Sequence, residues 1–358
     1  MRLSVLTASI LALLGLTGCH SFGPDELKGT HPLYNQAIND SINEQYLQNL
    51  VRIHYHDPTF FLDVTNVAAT LKLEINSDFS GASLGTNDAS GALSAGATYT
   101  TQPTISYAPL QGESFVKSLL SRIGLDKIFE LNNSGWSSKR VFGLCVERIN
   151  DLENSPTASG PTPDLAPARN EGFMELIDLL DSVRESHLIT PRYDPETKRV
   201  MVEIRSRPGF EDRIGRIKEL MGLDPDRNVY LVSENALQRG PDIISVTTRS
   251  LMSIFFYLSH NIEAPAEHLE KGLIKKTQRR EGGLFDWSET PGGRLFKVYK
   301  SDSRPDNAML AIPYRDYWFY IADNDIESKS TFMLLTQLFR LQAGSAKMAA
   351  PTLTIPVR

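Results

Sequence analysis

Apolar residues recur at three- and four-residue spacing from Tyr34 to Ile53. Tyr34, Ile38, Ile42, Tyr46, Leu47, Leu50 and Val51 fall on one face, and Asn, Gln, Asp and Glu fill the other. The spacing predicts a helix that stops at His56-Asp57-Pro58, because the residue before a proline resists helical geometry. From 64 to 107 the period changes to two. In the first run Thr65, Val67, Ala69, Leu71, Leu73 and Ile75 alternate with Val64, Asn66, Ala68, Thr70, Lys72 and Glu74. In the second, Leu93, Ala95, Ala97, Tyr99, Thr101, Pro103, Ile105 and Tyr107 alternate with residues that are all Gly or polar. Two strands flanking a segment rich in Gly, Ser, Asn and Asp predict a long hairpin over 64–107 with a flexible tip.

Helices are expected at 112–123, 125–132 and 137–150. Residues 151–170 then carry Pro156, Pro161, Pro163 and Pro167. Proline removes donors and fixes an extended path, so 151–171 is the expected linker between two subdomains, with an ordered crossing strap as the other reading. Past it, Phe173, Leu176, Ile177, Leu180 and Val183 mark a helix over 172–186. A hairpin over 187–206 turning at 194–197, a helix over 209–223 and a strand over 227–233 complete an αββαβ unit. A helix over 249–260, a short helix, strands at 294–301, 308–313 and 316–323, and a last helix over 326–342 follow. Helices and strands without a steady βα rhythm predict an α+β fold of antiparallel and mixed sheets with packed helices. The expected division is a leader at 1–18, a tether at 19–33, an N-terminal α+β domain at 34–150, the linker, a C-terminal α+β domain at 172–342 and a tail at 343–358.

Composition narrows the partners. The chain has 358 residues, 41% hydrophobic and 22% charged, with a formal net charge of -6. That is an ordinary globular composition. With a pI near 5.7 it lacks the basic footprint of a nucleic-acid binder, so no nucleic acid is expected as partner. Past the leader the longest apolar run, 251–260, is too short to span a bilayer, which takes about 20 residues.

The leader changes the picture. Arg2 places a charge near the start, 3–16 is apolar or small throughout, and Leu16-Thr17-Gly18-Cys19 leads into polar sequence. Charge, short apolar core and small residues in that order describe a secretory signal. Leu16-Thr17-Gly18-Cys19 resembles the lipobox of bacterial lipoproteins. The resemblance implies cleavage before Cys19, a diacylglycerol on its thiol and an N-acyl chain on the new amine. Several acyl chains make a stable anchor where one is marginal. His20 stands where an Asp would favour the inner membrane, so the resemblance implies the outer membrane, facing the periplasm. Segments 103–115 and 317–342 also resemble Gram-negative lipoproteins of no known activity, which adds no mechanism. Cleavage would remove Arg2 and move the net charge from -6 to -7. Cys145 then has no partner within the chain. Val141, Leu144, Cys145 and Ile149 recur at helical spacing, which predicts a small buried hydrophobe at Cys145.

Few clusters suggest chemistry. His54 and His56 share a face on an extended backbone, a spacing that zinc uses, with Asp57 beside them. A third ligand and a supporting partner are lacking, so structural roles are expected and no metal or cofactor beyond the acyl chains. Asp323, Asp325 and Glu327 resemble a calcium loop without its mid-loop glycine or closing glutamate. Asp325 instead suits a helix N-cap. Lys271, Lys275, Lys276, Arg279 and Arg280 form a basic stretch able to touch lipid phosphates or glycan-linked anions, though a solvated loop is the plainer expectation. Tyr317 and Phe319 alternate with Trp318 and Tyr320, as in a central strand covered on both faces. There is no G-x-S-x-G in a strand–turn–helix setting, no S-x-x-K with K-T-G and no P-loop.

The expectation is a lipid-anchored, periplasm-facing envelope lipoprotein that binds or organises partners without catalysis. Its lipid partner is the membrane, and its protein partner is left open. The alternatives are an envelope hydrolase without a recognisable motif and a ring-forming outer-membrane component that uses the 64–107 hairpin. A soluble hairpin, packed by one face on a core, is the favoured reading. Lys72 and Glu74 sit late in the first strand, Pro103 interrupts the second, and the apolar face is thin with alanines.

Overall fold

The first helix, α1, runs Pro24–His54 and starts before the Tyr34 that periodicity marks. The tether expected at 19–33 is therefore helical from Pro24 on. Proline is pre-organised for the first helical turn, where its missing N–H is not needed. The last turns bury Tyr46, Leu47, Leu50 and Val51, the face that the periodicity marks. The computed structural model describes residues 24–79, 93–168, 170–194, 199–343 and 353–356. Cys19 and the hairpin tip at 80–92 lie outside the described residues.

After α1 come β1 (Leu62–Phe79) and β2 (Leu93–Pro109). Helices α2 (Glu113–Leu120), α3 (Leu125–Asn133) and α4 (Ser138–Cys145) follow, then β3 (Val146–Ile149) and β4 (Leu152–Glu153). The unit expected at 172–233 is present as α5 (Glu171–Val183), β5 (Ile189–Asp194), β6 (Arg199–Ile204), α6 (Glu211–Leu220) and β7 (Val229–Ser233). Next are β8 (Ile243–Thr248), α7 (Leu251–Ser259), α8 (Ala266–Glu270) and α9 (Pro291–Leu295). The chain closes with β9 (Tyr299–Ser301), β10 (Ala308–Tyr314), β11 (Tyr317–Ala322), α10 (Ile326–Ala343) and β12 (Leu353–Pro356).

The protein is α+β. Six strands form a sheet in the order β4-β3-β8-β7-β6-β5, antiparallel except where β7 and β8 run parallel. This sheet corrects two expectations. The helix expected at 137–150 ends at Cys145, because Val146 turns extended (φ -106°, ψ 130°) and pairs with Thr248. β3, before the Pro-rich segment, and β4, at its start, also share the sheet with β5–β8 after it. Residues 151–171 are therefore an internal strap and not a domain linker. Its donors and acceptors are used: Ala166 N–H donates to the Gln278 carbonyl, and Gln278 N–H to the Asp164 carbonyl, both at 2.8 Å.

A second sheet has the order β10-β11-β9 and is antiparallel throughout. β11 is its central strand, with Phe319 and Ile321 fully buried. The alternate residues Trp318 and Tyr320 are only half-buried, so one face is less covered than the alternation suggests. Tyr314 pairs with Tyr317 across a two-residue turn in which Arg315 (φ 48°) and Asp316 (φ 70°) are both left-handed. That is the turn geometry that matches strand twist. The strand expected at 294–301 shrinks to Tyr299–Ser301, because Pro291–Leu295 winds as a helical turn capped by Thr290, whose Oγ1 accepts from Gly293 N–H at 3.1 Å. Asp325 caps α10 as expected, accepting from Ser328 N–H at 3.0 Å and Ser328 Oγ at 2.7 Å.

The described residues divide into two compact units. One holds 24–59 and 112–343, with both of these sheets. The other holds 60–79, 93–111 and 353–356, with the three-stranded sheet β1-β2-β12. The tail expected at 343–358 thus contributes a strand: β12 pairs with β2 from Leu353 opposite Tyr107 to Pro356 opposite Thr104.

Candidate functional site: a charged groove braced by a buried polar hub

His54, His56 and Asp57 are not brought together as a set of ligands. His54 is the last residue of α1 and His56 is left-handed (φ 58°), so the extended backbone that would align them is absent. His56 Nε2 lies 3.4 Å from Thr162 Oγ1. Asp57 accepts hydrogen bonds from the Tyr314 hydroxyl and, at 2.8 Å, from Arg315. Partial burial pushes the Asp57 carboxyl up, but these two hydrogen bonds outweigh it and hold the group below its ordinary value. Asp57 thus ties the end of α1 to the β10–β11 turn. Among the described residues no group of three or more His, Cys, Asp or Glu is arranged to hold a metal ion.

Polar chemistry concentrates instead around Arg249, a fully buried side chain just before α7. One terminal nitrogen of its guanidinium donates to the Val146 carbonyl at 2.9 Å and the Leu144 carbonyl at 3.3 Å. The other reaches the Asn154 carbonyl and, at 3.3 Å, that of Ser155. Nε donates to Ser159 Oγ at 3.0 Å, and Ser159 donates to Glu147 at 2.9 Å. The group also lies 4.0 Å over the Tyr257 ring. Burying an unpaired charge costs several kcal/mol unless every donor is used, and here five acceptors and a π face supply that. The result clips the start of the strap to the end of α4 and to β3.

Asn154 completes the hub. Its amide donates to the Gly143 and Val146 carbonyls at 2.8 and 2.7 Å, and its oxygen accepts from Tyr257 at 2.9 Å. The Tyr257 hydroxyl in turn accepts from Gly292 N–H at 2.9 Å. A Cβ on Gly292 would lie 2.5 Å from the Tyr257 ring, so only glycine permits this approach. His260, at the end of α7, bonds to the Ala158 carbonyl at 3.1 Å and stacks on Trp287 at 4.4 Å. Burial pushes His260 down to about 3 and His54 down to about 4. Cys145, also fully buried, is pushed up to about 12 by burial, which leaves it an inert thiol.

The hub braces a groove of about 700 Å³. Tyr257 fixes the turn that presents Arg294, and Trp287 packs edge-on against Phe285 at 5.1 Å. Arg279 lies 5.4 Å over Phe285 and pairs with Glu289 through both carboxylate oxygens, one contact at 3.1 Å. Met174, Phe285, Arg279, Arg280, Arg294 and Glu171 are among its lining residues, and the depression continues along α5 past Met174 and Arg294. Of the basic stretch, Lys271 pairs with Glu267 (3.4 Å) and Lys275 with Asp164 (3.0 Å). Arg280 and Arg294 are exposed, and among the described residues neither forms an ion pair. Thr277 Oγ1 donates to the Pro163 carbonyl at 2.9 Å, so the basic stretch and the strap are partners and not two free loops.

Among the described residues the groove presents Arg280 and Arg294 without an ion pair beside Phe285 and Met174, and Glu171 and Glu281, likewise without one, balance their charge. It suits a polar group of mixed charge attached to an apolar body. Sequence reasoning reached Arg279 and Arg280 but missed Arg294 and the hub. The signal for the hub was Arg249 alone between two apolar stretches, 243–248 and 251–258. No protein-family model, curated protein or solved structure matches the chain.

Proposed function

We propose that the chain is a lipid-anchored envelope lipoprotein, held on the periplasmic face of the outer membrane through Cys19, whose body binds partners without catalysis. The observation that carries this reading is the order of the first nineteen residues: Arg2, an apolar core, then Leu16-Thr17-Gly18-Cys19. The diacylglycerol and N-acyl chain on Cys19 are its lipid partners. The body supports a binding role in two ways. Its buried ionisable groups, Arg249, His54 and His260, bond to backbone and hold the strap and helices in place. Arg280, Arg294, Glu171 and Glu281 line an open groove suited to a charged or polar segment of an envelope partner.

Cys19→Ser tests the anchor. The variant is expected to lose labelling by radioactive palmitate and to leave the membrane fraction in high salt, with the body still folded. Retention of the variant in the outer-membrane fraction after a high-salt wash would refute the anchor.

A further inference from the structure

The register of the hairpin carries a second reading further than its sequence does. From Asn66 opposite Ser106 to Phe79 opposite Leu93 the pairing continues without a shift. Residues directly opposite one another in a ladder lie on the same face. The register therefore unites the two apolar sets: Val67 opposite Ile105, Ala69 opposite Pro103, Leu71 opposite Thr101, Leu73 opposite Tyr99 and Ile75 opposite Ala97. The polar sets fall together on the other face, with Thr70 opposite Gln102, Lys72 opposite Thr100 and Glu74 opposite Thr98. A shift of one residue would have set each apolar run against a polar one. The register gathers the apolar residues on one face, with Thr101 and Ser77 among them, and the polar residues on the other.

Past Ala68 and Thr104 both edges of the ribbon are open among the described residues. β12 covers β2 only from Tyr107 to Thr104, and among the described residues β1 pairs with β2 alone. A two-stranded ribbon is marginal in water and needs further strands or a covering surface. At about 3.3 Å per residue, the thirteen residues from Val67 to Phe79 reach about 40 Å. Tilted by about 40°, they rise about 30 Å, enough for the apolar band of about 25 Å in outer-membrane barrels.

We infer that the β1–β2 ribbons of several copies of this chain pair edge to edge into one membrane β-barrel, apolar face to lipid and polar face to the lumen. Each copy contributes two strands, so the strand number is even and the barrel has no free edge. β12 closes the base of β2, and pairing between copies runs above it. The three features that favour a soluble hairpin change meaning in this register. Lys72 and Glu74 stand on the polar face. Pro103 stands beside the last pair of β12, near the base and away from mid-bilayer, where its missing donor costs least. Alanines on the lipid face are apolar and need no core to fill. The inference rests on the outer-membrane reading only for which bilayer is crossed.

The test uses the full-length chain extracted in mild detergent, sized by native mass spectrometry and added to phosphatidylethanolamine–phosphatidylglycerol vesicles loaded with dye. Wild type is expected as a ring of several copies that releases dye. Leu71→Asp and Leu73→Asp, on the lipid face, are expected to lower release by roughly tenfold or more and to yield monomers. Thr98→Asp and Thr100→Asp, on the lumen face, are expected to assemble and release dye as wild type does. All three tryptophans lie outside the hairpin, so unchanged tryptophan emission certifies that the larger unit is folded in each variant. A monomeric wild type that releases no dye overturns the inference, as does equal loss of release on both faces. The Cys19→Ser chain separates the two readings: ring formation and dye release without the acyl chains support the barrel even where the anchor fails.

Discussion

The two buried histidines make stability fall in mild acid, in a window where carboxylates are still ionised. Burial holds His54 at about 4 and His260 at about 3, against about 6.5 in an unfolded chain. At about pH 8, well above the unfolded value of about 6.5, neither state binds a proton at these sites, and the full stability is present. As pH falls, the unfolded chain takes up two protons that the folded chain refuses, and stability is lost until the folded values are reached. At pH 5 each histidine costs about 2 kcal/mol, and the pair about 4 kcal/mol, relative to pH 8. Against the 5–15 kcal/mol typical of a domain, about 4 kcal/mol is a large share. His54→Gln and His260→Gln each keep an amide donor for the Ser259 backbone or the Ala158 carbonyl and remove the titration. Near pH 5 the slope is expected to be about 2.5 kcal/mol per pH unit in the wild type and about 1.3 in either variant. Urea titrations followed by tryptophan emission measure it. Trp136, Trp287 and Trp318 all belong to the larger unit, and Trp287 stacks on His260 itself. Stability that stays flat from pH 7 to pH 5, or variants that keep the wild-type slope, would refute the reasoning.

Two further substitutions probe the bracing of the groove and the last helix. A Cβ at Gly293 would lie 1.8 Å from the Trp287 carbonyl oxygen, a backbone atom, so Gly293→Ala is expected to cost about 2–3 kcal/mol and to shift Trp287 emission; an unchanged melting temperature would contradict the packing. Asp325→Ala removes both bonds to Ser328 and is expected to lose about 1 kcal/mol by urea titration, while Asp325→Asn retains most of it; equal loss in the two variants would mean that the cap is not the cause.

What the chain determined by itself is what one element carries in its own period. The face of α1 from Tyr46 to Val51, the αββαβ unit, the Asp325 cap and the α+β class follow from spacing within ten or twenty residues. The two strands of the hairpin were legible for the same reason, since period two assigns each residue a face. Their register was not, because it depends on which residue of β2 stands opposite which residue of β1. The tertiary structure also decided where local pattern was outvoted. Val146–Ile149 continues a helical spacing, yet pairs as a strand with residues about a hundred positions on. The prolines of 151–171 suggest a linker, yet their segment is held by Arg249, Gln278 and Thr277 from beyond it. A buried guanidinium must find its acceptors wherever the fold brings carbonyls together, and no local period records that. Arg294 became a groove residue for the same reason: Tyr257, thirty-five positions before Gly292, fixes the glycine turn that presents it.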